Sequence, residues 1–148
     1  MKNVSKASEE LFFDIIIISL VSFLYFNYIS MNKFTLILGL VFSFIYFGIN
    51  VYIGYKYKLS IIDSLIVGIA GSGMGIFFIF FSIYSQFILK TPNFANWVVM
   101  PYFIPTMSIV NLFSINITYL YAPILFIINI FLVVIGSQIK KLINKSFI

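Results

Sequence analysis

Four long apolar stretches fill most of this chain, and short polar segments that carry lysines separate them. A helix needs about 20 mostly apolar residues to cross the hydrocarbon core of a bilayer, and each stretch meets that length. Hydrophobic residues make up 62% of the chain and charged residues 9%, whereas a soluble domain carries about 25% charge. Because the chain has too little polar surface to enclose a soluble core, the sequence predicts an all-α, polytopic integral membrane protein.

The apolar stretches predict one membrane domain over residues 1–148 with four transmembrane helices and one outer segment. The predicted spans are residues 11–29, 34–53, 61–89 and 119–139, and the outer segment is 90–118. Lipid offers no partner to free backbone groups, so we expect each span to be helical in spite of its β-branched residues. The third span is long enough to require tilt or an interfacial last turn.

The apolar stretch 97–117 within the outer segment is long enough to form a fifth span. It contains Pro101 and Pro105, however, and these would break a helix near its first turns. Trp97 and Tyr102 are residue types that sit at the level of the lipid headgroups. We therefore expect an interfacial or re-entrant segment on the outer face, and a true span is the alternative.

The positions of the lysines favour four spans over five. With four spans, the N terminus, the second loop and the C terminus share one side and carry seven lysines, against two on the other side. A fifth span would move the C-terminal lysines away from the rest. Because lysine accumulates on the cytoplasmic side, we expect a protein of the cell membrane with both termini cytoplasmic. The net charge of +5 then faces lipid headgroups, and no nucleic-acid partner is predicted.

Two polar patterns resemble helix N-caps. Ser60 precedes Asp63 by three residues, so the Ser60 hydroxyl can accept hydrogen bonds from free helix amides while Asp63 reaches back to the Ser60 amide. The run Ser8-Glu9-Glu10 would serve the first span in the same way and place negative charge at its positive end. We interpret Asp63 as a capping residue.

Asp14 lies beyond the first turn of its span and needs another explanation. Acidic residues inside membrane spans are rare and often mark proton or ion paths. The simpler interpretation is that Asp14 pairs with Lys56 or Lys58, which the topology places at the same level.

Two rows of small residues run along the third span, and each recurs at helical spacing. One consists of Ser64, Gly68 and Ser72, and the other of Gly71 and Gly75. Small residues let another helix approach closely, so these rows predict helix packing against a span of this chain or of a second protein. The alternative is a glycine-rich break at Gly68–Gly75 that lines a substrate site.

A lone amide in mid-membrane requires a hydrogen-bond partner, and Asn129 falls at the centre of the fourth span. Ser72 is at a compatible depth, so we predict an Asn129–Ser72 contact that joins the third and fourth spans. Asn50 lies near a span end, where we expect it to reach water.

Several kinds of chemistry are excluded by composition. The chain contains no Cys, His or Arg, so disulfides, thiolate or imidazole metal sites and Ser–His catalysis are impossible. An intramembrane aspartyl protease needs two facing acids deep in the bilayer, whereas Asp14 and Asp63 are shallow. We predict no enzymatic activity, no metal and no cofactor. The use of lysine alone among basic residues, with much Ile, Phe, Asn and Tyr, suggests an AT-rich bacterial genome.

The run Pro92-Asn-Phe94-Ala-Asn96-Trp97 reads as Pro-x-Phe-x-Asn-aromatic. Its place between the third and last apolar stretches, ahead of a lysine-tailed final span, resembles the Msa-type small membrane proteins of Gram-positive cocci. The layout covers most of the chain, and the local match covers six residues. This resemblance implies a small multispanning protein that influences expression of a virulence regulator.

Two hypotheses about function follow. The first is a non-enzymatic accessory or regulatory membrane protein that binds a membrane-protein partner through its helices, of which a bacteriocin-immunity protein would be one version. The second is a small transporter or channel that uses Asp14 and the Gly68–Gly75 break. Four spans in one copy offer little room for a pathway, so the second hypothesis requires a homo-oligomer.

Overall fold

The computed structural model describes residues 2–91, 100–115 and 121–145, and all regular structure in these ranges is helical. The elements are α1 (Lys2–Tyr28), α2 (Lys33–Tyr57), α3 (Ile61–Gly71), α4 (Gly73–Phe87), a 3-10 turn (Ile104–Thr106), α5 (Met107–Leu112) and α6 (Tyr121–Lys145). Within the described ranges, α1, α2 and α6 are long and apolar enough to cross a membrane, and α3 with α4 adds one bent segment. The prediction of an all-α polytopic membrane protein is confirmed.

The first helix differs from its prediction at the N-terminal end. α1 begins at Lys2, so Ser8 lies inside the helix and the predicted Ser8 cap is wrong. Side-chain N-caps do form at the starts of α2 and α3. Asn32 and Thr35 make a reciprocal capping box at the start of α2, with the Thr35 amide donating to Asn32 Oδ1 over 2.9 Å. This pair was not among the caps predicted from the sequence.

The predicted third span is broken near its middle. α3 ends at Gly71 and α4 begins at Gly73, and the two helix axes differ in direction by 57°. Ser72 between them leaves helical geometry, with φ −93° and ψ 17°. Glycines on both sides lower the local helix propensity, which is the usual cause of a sharp bend in the absence of proline.

Contacts between the long helices fix the topology. α1 and α2 are antiparallel, because the Tyr25 hydroxyl donates to the Thr35 carbonyl at one end and Glu10 pairs with Lys56 at the other. α2 and α6 are parallel and form the most extensive helix pair in the described ranges. As a result, α1 begins, α2 ends and α6 ends at the same end of the bundle, which is the arrangement expected for an even number of crossings.

The α2–α6 pair meets at a very close backbone crossing. A Cβ atom at Gly54 would collide with the Val133 carbonyl of α6, and one at Gly136 would collide with the Val51 carbonyl of α2. Only glycine permits this approach, and the packing gained over the crossing is the main source of helix association in lipid.

The described part of the outer segment packs into the bundle. Residues 100–103 are helical, and the 3-10 turn and α5 follow, with Pro105 inside the turn. The side chains of Tyr102 and Phe103 are almost fully buried, and the Ser43 hydroxyl of α2 donates to the Pro105 carbonyl over 2.8 Å. The prediction that this segment lies at the membrane interface is therefore wrong for these residues. Broken helices at membrane depth are tolerated where, as here, protein surrounds them.

Other predictions fall outside the described residues. These are the Pro92–Trp97 motif, including Trp97 itself, and the first residues of the predicted fourth span, 119–120.

Candidate functional site in the buried polar cluster

A polar cluster lies at the centre of the bundle, and Asn129 of α6 is its hub. The Asn129 side-chain amide donates to the Tyr46 hydroxyl of α2 over 2.5 Å and to the Tyr102 hydroxyl over 3.1 Å. All three side chains are buried, with at most 3% of their surface exposed. The amide therefore connects α2, α6 and the 100–115 segment in the buried interior of the bundle, where each polar group needs a partner.

Asn50 extends the cluster along α2, and the expectation that it reaches water is wrong. Its side chain is fully buried, and its Nδ2 donates to the Tyr46 carbonyl over 2.8 Å and to Asn129 Oδ1 over 3.5 Å. The Asn50 Oδ1 atom is a buried acceptor with no hydrogen-bond partner in the described ranges. α2 continues a full turn beyond the predicted span end, to Tyr57, and this places Asn50 deeper than the hydropathy pattern indicated.

The predicted bond between Asn129 and Ser72 is not made. The Tyr102 hydroxyl occupies the place next to Asn129, whereas the Ser72 hydroxyl is buried without a hydrogen-bond partner in the described ranges. The α3–α4 break adjoins the cluster through the contact of Gly75 with the Tyr102 ring. Tyr102 was expected at the headgroup level. Its aromatic ring is instead buried, and its hydroxyl finds an amide partner deep in the bundle, which satisfies both parts of an amphipathic side chain.

The small residues of the two predicted rows face this chain. Gly68 lies 3.0 Å, measured from an ideal Cβ position, from the Ile130 Cα of α6, and Gly71 lies 2.6 Å from the Leu11 side chain of α1. Ser64 is buried and donates to the Ser60 carbonyl over 2.7 Å. Gly75 meets the Tyr102 ring at 2.5 Å. Both small-residue rows are thus covered by internal neighbours.

Gly75→Ala is expected to disturb the cluster, because the new methyl group would push the Tyr102 ring away from Asn129. Overpacking of this kind costs about 1–3 kcal/mol of stability. Gly73→Ala is the matched control, since a Cβ at Gly73 meets no atom within 4 Å. Unfolding titrations in mixed micelles measure both variants, and equal stability of the two would contradict the assigned contact.

A second polar group lies at the end of the bundle where α2 ends. Lys56 donates to both carboxylate oxygens of Glu10 over 2.6 and 2.7 Å, and the Tyr57 hydroxyl donates to Glu10 Oε2 over 2.6 Å. The ion pair is partly exposed, so its main effect is to fix the register of α1 against α2. Glu10 thus has a role that the cap hypothesis did not assign.

The remaining candidate residues are placed as follows. Lys58 ends α2 in the left-handed conformation with φ 51° and does not pair with Asp14. Ser60 caps α3 by accepting from the Asp63 amide over 3.0 Å, but the Asp63 carboxylate accepts from the Ser60 hydroxyl, not from its amide. Asp14 is partly exposed and makes no hydrogen bond in the described ranges, because Lys56, which interacts with it electrostatically, is bonded to Glu10.

The sequence held weak signals for what was missed. Tyr46 stands in the middle of a span, where its hydroxyl requires a partner. Gly54 lies just beyond the predicted second span and Gly136 lies inside the fourth, and nothing in the linear sequence pairs them. The cluster contains only neutral amide and hydroxyl groups, which can exchange hydrogen bonds with a water molecule, a hydroxyl or an amine.

The fold and this cluster define a multi-pass, all-helical membrane protein with a hydrogen-bonded interior. No family model matches the chain, and neither a curated protein nor a solved structure is significantly similar to it.

Proposed function

We propose that this chain is a small, non-enzymatic accessory or regulatory protein of the cell membrane that binds a partner membrane protein through helix contacts. Both termini are assigned to the cytoplasm, because the end of the bundle where α1 begins and α6 ends carries seven of the nine lysines. The Msa-type layout of the sequence is consistent with a regulatory role of this kind.

The observation that carries the proposal is that the Asp14 carboxylate has no hydrogen-bonded basic partner in the described ranges. The register of α1 against α2 places it one helical turn further into the membrane than the Glu10–Lys56 pair. It is partly exposed toward the outside of the bundle, and the lysine that would neutralise it is bonded to Glu10. An acidic group at that depth is costly without a basic partner. A lysine or arginine on the helix of a second protein would supply one.

The small residues of the two rows pack against helices of this chain, and this supports a partner site at Asp14. Gly68, Gly71 and Gly75 face α6, α1 and Tyr102, so neither of the two predicted small-residue rows is free to pack on another protein. The partner surface proposed from the sequence is therefore replaced by the flank of α1 around Asp14.

Asp14→Asn is expected to abolish capture of the partner without lowering the stability of the purified protein, because the Asp14 carboxylate makes no hydrogen bond in the described ranges and is disfavoured by burial and by the nearby Glu10. The measurement is crosslinking and affinity purification of the tagged protein from its native membrane, followed by mass spectrometry. Asp63→Asn is the control, since Asp63 lies at the helix cap. Equal recovery of a stoichiometric partner with Asp14→Asn would refute the site.

A second candidate function is an oligomeric transporter or channel. The observation in its favour is the helix break at Ser72 beside the buried cluster, because transporters bind substrates at broken helices near mid-membrane. Asn50 Oδ1 would accept a hydrogen bond from such a substrate. Under this function the purified protein is a homo-oligomer without a partner, and proteoliposomes show ion flux that Asp14→Asn removes.

A further inference from the structure

Two cavities lie along one flank of α1, and we refer to them together as the groove. The first, of about 480 Å³, lies between the N-terminal turns of α1 and helix α3. The second, of about 140 Å³, lies further along α1 and is closed by α4 and the 100–115 segment. Ser8 lines the first cavity and Ile15 and Ser19 the second, at intervals of seven and four residues, so the two cavities share one face of the helix.

The bend at Ser72 explains why this groove exists. α3 packs closely on α1, whereas α4 beyond the bend contacts chiefly α6 among the described helices. A gap therefore opens between α1 and α4, and Phe78 and Tyr102 form its far wall.

The polarity of the groove changes along its length. The first cavity carries the carboxylates of Glu9 and Asp63 together with the apolar side chains of Ile66 and Ala70. The second cavity is lined almost entirely by apolar groups, among them Leu20. From Glu9 to Leu20 the helix rises by about 16 Å, roughly half the thickness of the hydrocarbon core.

The two carboxylates retain hydrogen-bonding capacity. Glu9 Oε1 accepts from the Ser5 hydroxyl over 3.0 Å, and Asp63 Oδ2 accepts from the Ser60 hydroxyl over 2.7 Å. The other oxygen of each carboxylate accepts no hydrogen bond within the described ranges. Two negative groups with free oxygens at the entrance of an apolar groove are complementary to a molecule with an ammonium group and a hydrocarbon tail.

We infer that this groove binds one membrane phospholipid with a primary amine in its headgroup. The ammonium group donates hydrogen bonds to Glu9 and Asp63 at the end of the bundle where α2 ends, and an acyl chain extends past Ala70 toward Phe78. A trimethylated headgroup carries the same charge but has no N–H donor, so the site discriminates between the two. This inference does not depend on the proposed partner of Asp14.

The test is native mass spectrometry of the delipidated protein with equal amounts of phosphatidylethanolamine, phosphatidylcholine or phosphatidylglycerol carrying identical acyl chains. We expect phosphatidylethanolamine to bind at least about tenfold more tightly than phosphatidylcholine, because each of the two charge-assisted hydrogen bonds contributes roughly this factor when it forms. The double variant E9Q/D63N should lose this preference, and Ala70→Phe should lower binding of all three lipids, because Ala70 is exposed in the groove and a larger ring fills it.

Two variants outside the groove serve as controls. Lys90→Gln changes the net charge at an exposed position, and Ile37→Phe adds an aromatic ring to the exposed face of α2. Both should bind lipid as the unaltered protein does. Equal binding of phosphatidylethanolamine and phosphatidylcholine, a preference for phosphatidylglycerol, or a preference that survives in E9Q/D63N would each overturn the inference.

Discussion

Gly54→Ala is expected to lower the stability of this protein by about 1–3 kcal/mol, the range for overpacking a close contact. The added methyl group would collide with the Val133 carbonyl of α6 and lie 2.9 Å from the Ser137 amide nitrogen. These are backbone atoms in a helix, so they cannot move aside as the end of a flexible side chain does. The two helices must separate, and packing is lost along the most extensive pair of the bundle.

The sign of this effect is opposite to that of helix propensity, which favours alanine over glycine by about 1 kcal/mol. Gly48→Ala on the same helix is the matched control, because a Cβ there meets no atom within 4 Å. It should be neutral or slightly stabilising. Unfolding titrations with a denaturing detergent in mixed micelles measure both. A loss of stability in Gly48→Ala as large as in Gly54→Ala would show that the α2–α6 crossing is not the cause.

Asn129→Leu is expected to have the second large effect. Leucine has nearly the shape of asparagine but leaves the hydroxyls of Tyr46 and Tyr102 and the amide of Asn50 without their common partner. Hydrogen bonds between membrane helices average about 0.6 kcal/mol each, so the loss of three should cost roughly 2 kcal/mol. The same unfolding titrations provide the measurement.

A double-mutant cycle separates the hydrogen bonds from a change of shape. Tyr102→Phe alone should destabilise the protein, but it should add little to Asn129→Leu, because the Asn129–Tyr102 bond is already lost. Leu132→Ile is the control, because it changes the shape of a partly buried side chain on the same helix without removing a hydrogen bond. Strict additivity of Tyr102→Phe and Asn129→Leu would refute the assignment of Asn129 as the hub.

The candidate site was predictable only in part. Asn129 was singled out because an amide at the centre of a span needs a partner, and the structure buries it completely. Its partners were not predictable, because Tyr102 comes from a segment whose prolines and aromatic residues suggested a position at the membrane surface. The residue types around Tyr102 favour a position at the level of the lipid headgroups. Its burial results from contacts with helices that are distant in the sequence.

The class of protein follows from the amino-acid sequence alone, because the hydrophobic effect and the requirement for internal backbone hydrogen bonds act on every residue of an apolar stretch alike. Long stretches of Ile, Phe and Leu must form helices in lipid. Which glycines are indispensable depends instead on how the helices pack. Gly48 and Gly54 are alike in the sequence, but Gly54 faces the backbone of α6 and Gly48 faces open space. Close approach depends on the relative rotation of two helices, and that rotation results from all of their contacts together.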